Sequence, residues 1–168
     1  MKLGAMSTTV LHLSLEDGLR RLRELGADAV EIGCGGFEPP HWANFDELLG
    51  NRSKLDKWLE TFQRHELEIS AFAIHGEPLA PNDTVAREYE REYVRACQLA
   101  EACGVSRLTL LAGLPEGAPG DSAPCWVTGP FPPVNRDIYA WQWEERVIPY
   151  WREKAKIAED HGCRLCFE

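Results

Sequence analysis

The chain has 168 residues, 44% of them hydrophobic, which is enough to bury one core as a single domain spanning 1–168. A net charge of −9 argues against a nucleic-acid partner, because binding a phosphate backbone leans on clustered Lys and Arg. No apolar run is long enough to span a bilayer and the N-terminus shows no signal-peptide pattern, so a soluble cytoplasmic protein with no membrane partner is expected.

In chain order, Lys2 to Met6 is a short apolar start. Ser14, with Asp17 three residues on, reads as a helix N-cap; Leu15, Leu19, Leu22 and Leu25 follow at helical spacing, and Gly26 ends the helix. Ala29 to Gly33 is a second strand, and the stretch from Cys34 to Asn44, with Gly35-Gly36, Pro39-Pro40 and His41-Trp42, is too rich in breakers for regular structure. Helical spacing resumes at Phe45 to Leu49 and again from Ser53, where Leu55, Trp58, Leu59 and Phe62 form one stripe up to His65.

Leu67 to Pro81 organises the chain. It begins as a continuous apolar run of strand length, suited to a parallel strand covered by helices, and it breaks at His75-Gly76. A titratable side chain therefore sits at the C-terminal mouth of a buried strand, where ligands bind in parallel α/β folds. Asn82 to Thr84 cap a long helix carrying Val85, Tyr89, Tyr93, Cys97 and Ala100, closed by Gly104; Val105 to Ala112 is the fourth strand. Gly113 to Asn135, with six prolines and four glycines, is neither helix nor strand, and its Trp126, Phe131 and Pro132-Pro133 suit a folded lid. Asp137 to His161 is helical with a kink expected at Pro149, Gly162 caps it, and Cys163 to Glu168 is the fifth strand.

Three junctions repeat one plan: an amphipathic helix, a glycine at 26, 104 or 162, and a short step into a strand. That alternation predicts an α/β fold of the (β/α) TIM-barrel type, incomplete: about four βα units plus a fifth parallel strand, in order one to five with helices on one side. Six cysteines lie in helix, strand or loop patterns without the density of a disulfide scaffold, and Cys163 and Cys166 on one strand point to opposite faces.

Glu31, the Pro-Pro-His-Trp loop, Phe45 to Leu49, the Ile69 to Pro81 stretch, Trp126-Val-Thr-Gly-Pro and Trp141-Gln-Trp-Glu-Glu through Trp151 resemble the sugar phosphate isomerase/epimerase family, with its xylose isomerase-like barrel. The resemblance implies the N-terminal half of such a barrel, a small sugar or polyol substrate, and a divalent metal (Mn, Mg, Co or Zn) at the barrel mouth. It makes Glu168, at the end of the fifth strand, the first carboxylate metal ligand and a catalytic group. Ligands on strands six to eight have no counterpart here. Moving a proton beside a sugar carbonyl needs an oxygen-rich metal site and a nearby carboxylate base, and one Glu is not a site.

Each candidate also has a plainer reading. His75 is either substrate-facing and catalytic or a buried histidine bonded to a backbone carbonyl. Glu31 points either into the barrel interior, towards substrate, or at a helix. His41 and Trp126 are candidate substrate contacts, against packing at the mouth or in a lid. His12, His65 and His161 read as surface residues near element ends, and Arg87 to Arg95 as a solvated helix face. On the fifth strand, Arg164, Cys166 and Glu168 should face the interior, with Leu165 and Phe167 under helices. Three functions compete: a metal-dependent isomerase or epimerase; a polyol dehydratase or divalent-metal endonuclease of the same fold; and a non-catalytic half barrel acting through another chain. Open first and fifth strands and an exposed apolar interior face predict self-association.

Overall fold

The computed structural model describes residues 1–38 and 40–168; Pro39, read above as part of the loop after the second strand, lies outside the described residues. Five parallel strands form one sheet in the order β1-β2-β3-β4-β5, with β1 at Gly4–Met6, β2 at Ala29–Gly36, β3 at Glu68–His75, β4 at Arg107–Leu110 and β5 at Arg164–Phe167. Between them run α1 (Leu15–Glu24), α2 (Phe45–Gly50), α3 (Arg52–Arg64), α4 (Asp83–Cys103), α5 (Asn135–Trp141) and α6 (Ile148–Asp160). No helix among the described residues is long and apolar enough to cross a membrane.

Strand alternation decides what is buried. Val30, Ile32 and Cys34 of β2, Phe72 and Ile74 of β3, and Leu108 and Leu110 of β4 share one face and pack with Leu19, Trp58, Tyr93, Leu99 and Trp151 of the helices. Phe72 stacks over Trp58 at 6.3 Å between ring centroids. Burial of a side chain of this size stabilises the fold by roughly 1.5–3 kcal/mol. The opposite face carries Glu31, Ala71, Ala73, His75, Thr109 and Cys166. Ala71 and Ala73 are buried, so this inner face is small and polar rather than broadly apolar. Apolar exposure collects elsewhere, at Leu3, Phe131, Val134 and Phe167.

Helix ends follow local chemistry. Ser14 Oγ accepts from the Asp17 amide and caps α1, while Leu25, expected in the apolar stripe, is its exposed C-cap. Gly26, Gly104 and Gly162 all take left-handed φ (88°, 69° and 69°) and turn the chain from helix into strand. At the fourth such turn Glu66 does the same with φ 55°, and the Leu67 amide donates to Phe62 O. Asn51 both ends α2 and caps α3, so α3 begins at Arg52 rather than Ser53.

The last helix departs from expectation. Gln142–Val147 is a π-helical segment whose following amide, Ile148, donates five residues back to Trp143 O, and Pro149 sits in the first turn of α6. Proline offers no N–H to the preceding turn, and the wider π register falls just before it, at the start of α6. The widened turn also aims Gln142 at the long loop. Its side chain is fully buried: Oε1 accepts from the Val127 amide, and the amide group donates to the carbonyls of Glu116 and Cys125. An isolated bridge between Glu116 and Pro124 closes the loop further.

The 87–95 run on α4 is more than a solvated face. Glu90 pairs at 2.8 Å with the buried Lys154 of α6, Arg95 lies over the Phe45 ring, and Glu92 Oε2 accepts from the Gly36 amide at 2.6 Å. His65 and His161 sit at helix C-termini, beside Glu16 and Glu101 respectively.

Candidate functional site

At the C-terminal edge of the sheet, β2 runs three residues beyond Gly33, its expected end, to Gly36. Its glycines explain how. The pairing of β2 with β3 shifts between Gly33 and Gly35, and at Gly36 a Cβ would stand 1.9 Å from the His75 carbonyl oxygen. Only a glycine, here with φ 69°, allows two backbones that close, and the Phe37 amide uses the approach to donate to His75 O at 2.6 Å. At Gly33 a Cβ would fall 2.7 Å from the Glu38 Cβ, so the bare backbone there is what Glu38 lies over.

This bulge delivers Glu38 to His75. Glu38 Oε2 accepts from the His75 backbone amide at 2.9 Å and Oε1 lies 2.5 Å from His75 Nδ1, with both residues buried. On the far side of the ring, His75 Nε2 is 3.0 Å from Glu168 Oε2. This is a charge-pair approach and not a hydrogen bond, and Nε2 has no hydrogen-bond partner among the described residues. Glu168 is held at the end of the ladder, where its amide donates to Leu110 O, while its side chain is 59% exposed. One imidazole thus stands between a buried and an exposed carboxylate. Burial first, and then neighbouring Glu38, push the Cys34 thiol well above its ordinary pKa, and burial does the same to the Tyr89 phenol, which donates to Ile74 O.

The other candidates are placed as follows. Glu31 faces the inner side, where its Oε1 accepts from the Thr109 hydroxyl at 2.8 Å. Trp126 packs against Trp143 at 5.6 Å, and both line an apolar groove of about 480 Å³ with Trp151, Phe167 and Glu168. His41 is exposed and shares a recess with Lys54, Lys57 and Trp58 of α3, apart from His75. Trp42 is a packing residue: its indole donates to Leu13 O, and its ring fills the space over Gly18. On β5, Phe167 meets Trp151 edge-on at 4.9 Å but stays 51% exposed, short of the expected cover by helices, while Glu168 reaches His75.

Glu38 was not among the residues singled out in the sequence. The signal available was Gly33-Cys-Gly-Gly36 followed at once by Phe-Glu: glycines at a strand end mark close approach as well as chain breaking. Metal chemistry can be tested against the same atoms. Among the described residues no three His, Cys, Asp or Glu side chains are grouped so that they could hold a metal ion, and Glu168 with His75 offers two donor groups where a hard cation takes about six oxygens. These residues do not by themselves make a metal site.

A family profile described as xylose isomerase-like TIM barrel matches residues 19–168. An uncharacterized protein of Bacillus subtilis (strain 168), YfiH, is 34% identical over 164 residues, which are 96% of this chain and 52% of YfiH. Among solved structures, the probable 3-DHS dehydratase AsbF from Bacillus anthracis aligns with TM-score 0.61 at 14% identity, over 99% of this chain and 52% of its own. The IOLI protein with a binding zinc atom aligns with TM-score 0.60 at 20% identity, over 99% and 51%. A D-tagatose 3-epimerase-like protein aligns with TM-score 0.58 at 19% identity, over 99% and 52%. The chain spans about half the length of the relatives it matches.

Proposed function

Because the chain belongs to the xylose isomerase-like TIM barrel family, we propose that it forms the N-terminal part of a sugar or polyol isomerase or epimerase, with Glu168 and His75 acting on the same substrate carbon and its oxygen. The observation that carries this reading is the approach of an exposed carboxylate, Glu168, to a buried and unpartnered imidazole nitrogen, His75 Nε2, at the mouth of a parallel sheet. Glu168 removes a proton from the carbon beside a carbonyl; the C–H electron pair becomes the C=C bond of an enediolate, and the carbonyl oxygen takes the negative charge. His75 Nε2 accepts a hydrogen bond from the neighbouring hydroxyl and orients it. Return of the proton from Glu168 to the adjacent carbon, with the neighbouring hydroxyl's proton passing to the former carbonyl oxygen, gives an isomer; an epimer forms when a second acid, outside the span of this chain, protonates the original carbon from the other face.

Dependence on a divalent metal is part of the proposal, with the remaining ligands supplied by the length of the relatives that this chain does not span. Glu31 and Trp126 are proposed as substrate contacts, the first on the inner face and the second on the groove that Glu168 shares; His41 is the weakest of the three, since it lies over α3. The protein is placed in the cytoplasm, where its six free cysteines stay reduced.

Deuterium exchange tests the reaction directly. A chain of the relatives' length, incubated in D₂O with Mn²⁺ and a panel of ketoses and polyols, should place solvent deuterium on carbon and lose that activity in Glu168→Gln. A product that has shed water would assign it as a dehydratase instead, and no carbon-bound deuterium from any substrate would overturn the reading. For the 168-residue chain alone, titration calorimetry should find Mn²⁺ or Mg²⁺ bound no better than by an ordinary acidic surface. A second reading, a half barrel that works by pairing with another chain, is favoured by one observation: β1 and β5 are open edges, with Phe167 exposed on the latter. Sedimentation of a stable monomer with no dye-binding patch would count against it.

A further inference from the structure

The mouth holds one feature that the proposed reaction does not require of itself: a buried glutamate wholly committed to a histidine. Both oxygens of Glu38 are spent on His75, one on its backbone amide and one on Nδ1. A carboxylate taken out of water is costly unless it is fully satisfied, so a purely structural contact would be better made by a neutral group. Nor is the placement incidental, because β2 shifts register and uses bare backbone at Gly33 and Gly36 to make it. A third observation lies across the ring, where Nε2 is buried, unpartnered and turned towards Glu168.

We propose that Glu38 is the positioning residue of this site: as a carboxylate it accepts from Nδ1–H of His75, fixes that tautomer and the plane of the ring, and so leaves the lone pair of Nε2 as the atom offered to a substrate hydroxyl. This deepens the isomerase or epimerase reading and rests on it for the identity of the hydroxyl, but the tautomer is a property of the chain itself. A ring with its proton on Nε2 would present a donor and would suit a carbonyl oxygen instead. Glu38 therefore decides which kind of oxygen the site receives. The two arrangements share the same heavy-atom positions, since a protonated Glu38 donating to a bare Nδ1 would also place these atoms at 2.5 Å.

Nitrogen-15 long-range NMR of histidine-labelled 168-residue protein separates them, recorded on the alkaline side of the ring's own titration. The wild-type ring should carry its proton on Nδ1. In Glu38→Gln the side-chain carbonyl can still accept from the backbone amide while its NH₂ turns to Nδ1 as a donor, so the proton should move to Nε2 and the tautomer should invert. A wild-type ring protonated on Nε2 overturns the inference, and so does a Glu38→Gln ring that keeps Nδ1–H. Because the wild-type spectrum decides the first point, failure of the variant to fold cannot rescue the inference. The spectrum needs no substrate, so an inverted tautomer without isotope exchange would sink the proposed reaction and leave the role of Glu38 standing.

Discussion

The two sides of the sheet differ in how completely they are closed. β2 and β3 run eight residues each, and their outer faces are sealed by helices, with Val30, Ile32, Phe72 and Ile74 wholly inaccessible to solvent. β4 and β5 run four residues each, and on β5 Phe167 remains 51% exposed. The candidate site straddles this boundary, with His75 and Glu38 anchored on the closed side and Glu168 on the open one. For the proposed reaction this pairs an orienting imidazole held by buried contacts with a carboxylate whose side chain is 59% exposed and so open to a substrate carbon.

Truncation on the two sides should expose the contrast most sharply. Phe72→Ala is expected to cost about 4 kcal/mol in urea unfolding and Phe167→Ala no more than about 1, because the first leaves a sealed cavity and the second removes a half-wet ring; equal losses would mean that the sides are equally packed. Gly36→Ala should cost about 3 kcal/mol, since it combines left-handed strain with a steric clash at the His75 carbonyl. A stability change within about 0.5 kcal/mol would show that the β2 bulge is soft.

Alkali should also act chiefly on the closed side. Burial raises the thiols of Cys34 and Cys97, the latter to about 12. Their folded pKa lies above the unfolded value, so the stability they contribute is whole below about pH 8.5 and is lost as pH climbs towards the folded value, on the order of 2 kcal/mol for each thiol by pH 10. Denaturation midpoints that stay flat between pH 8 and pH 10 would contradict this. The smallest effect expected is a gain: Glu66→Gly relieves a left-handed glutamate at the α3–β3 turn and should add about 0.5 kcal/mol, read as a small rise in melting temperature.

What could be read in advance was whatever depends on local pattern. The strand order, the parallel pairing and the glycine turns at 26, 104 and 162 follow from periodicity and from residues with special backbone freedom. His75 was legible because it closes an apolar strand, and Glu168 through the family resemblance, which puts a carboxylate at the end of the fifth strand. Glu38 was not, since its role depends on a register shift between two strands and on glycines that look locally like chain breakers. Gln142 was hidden for a similar reason: inside a helical stretch it reads as a solvated amide, and only the π turn directs it inward. Glu66 shows the reverse limit, a glycine's conformation carried by a residue that gives no such signal.

The clasp around Gln142 also bears on how the protein can vary. Its bonds to Glu116, Cys125 and Val127 seize the long loop at its base, so the tip from Gly117 to Ala123 projects beyond the anchored part. Lengthening such a tip costs only the slowly growing entropy of closing a larger loop, roughly 0.6 kcal/mol for each doubling. Of the tryptophans beside Glu168, Trp126 sits within the clasp itself and Trp143 and Trp151 lie on the helices that follow, so none belongs to the tip. The tip is therefore a graft point, where new sequence could be added to the rim of the mouth without disturbing the groups gathered inside it.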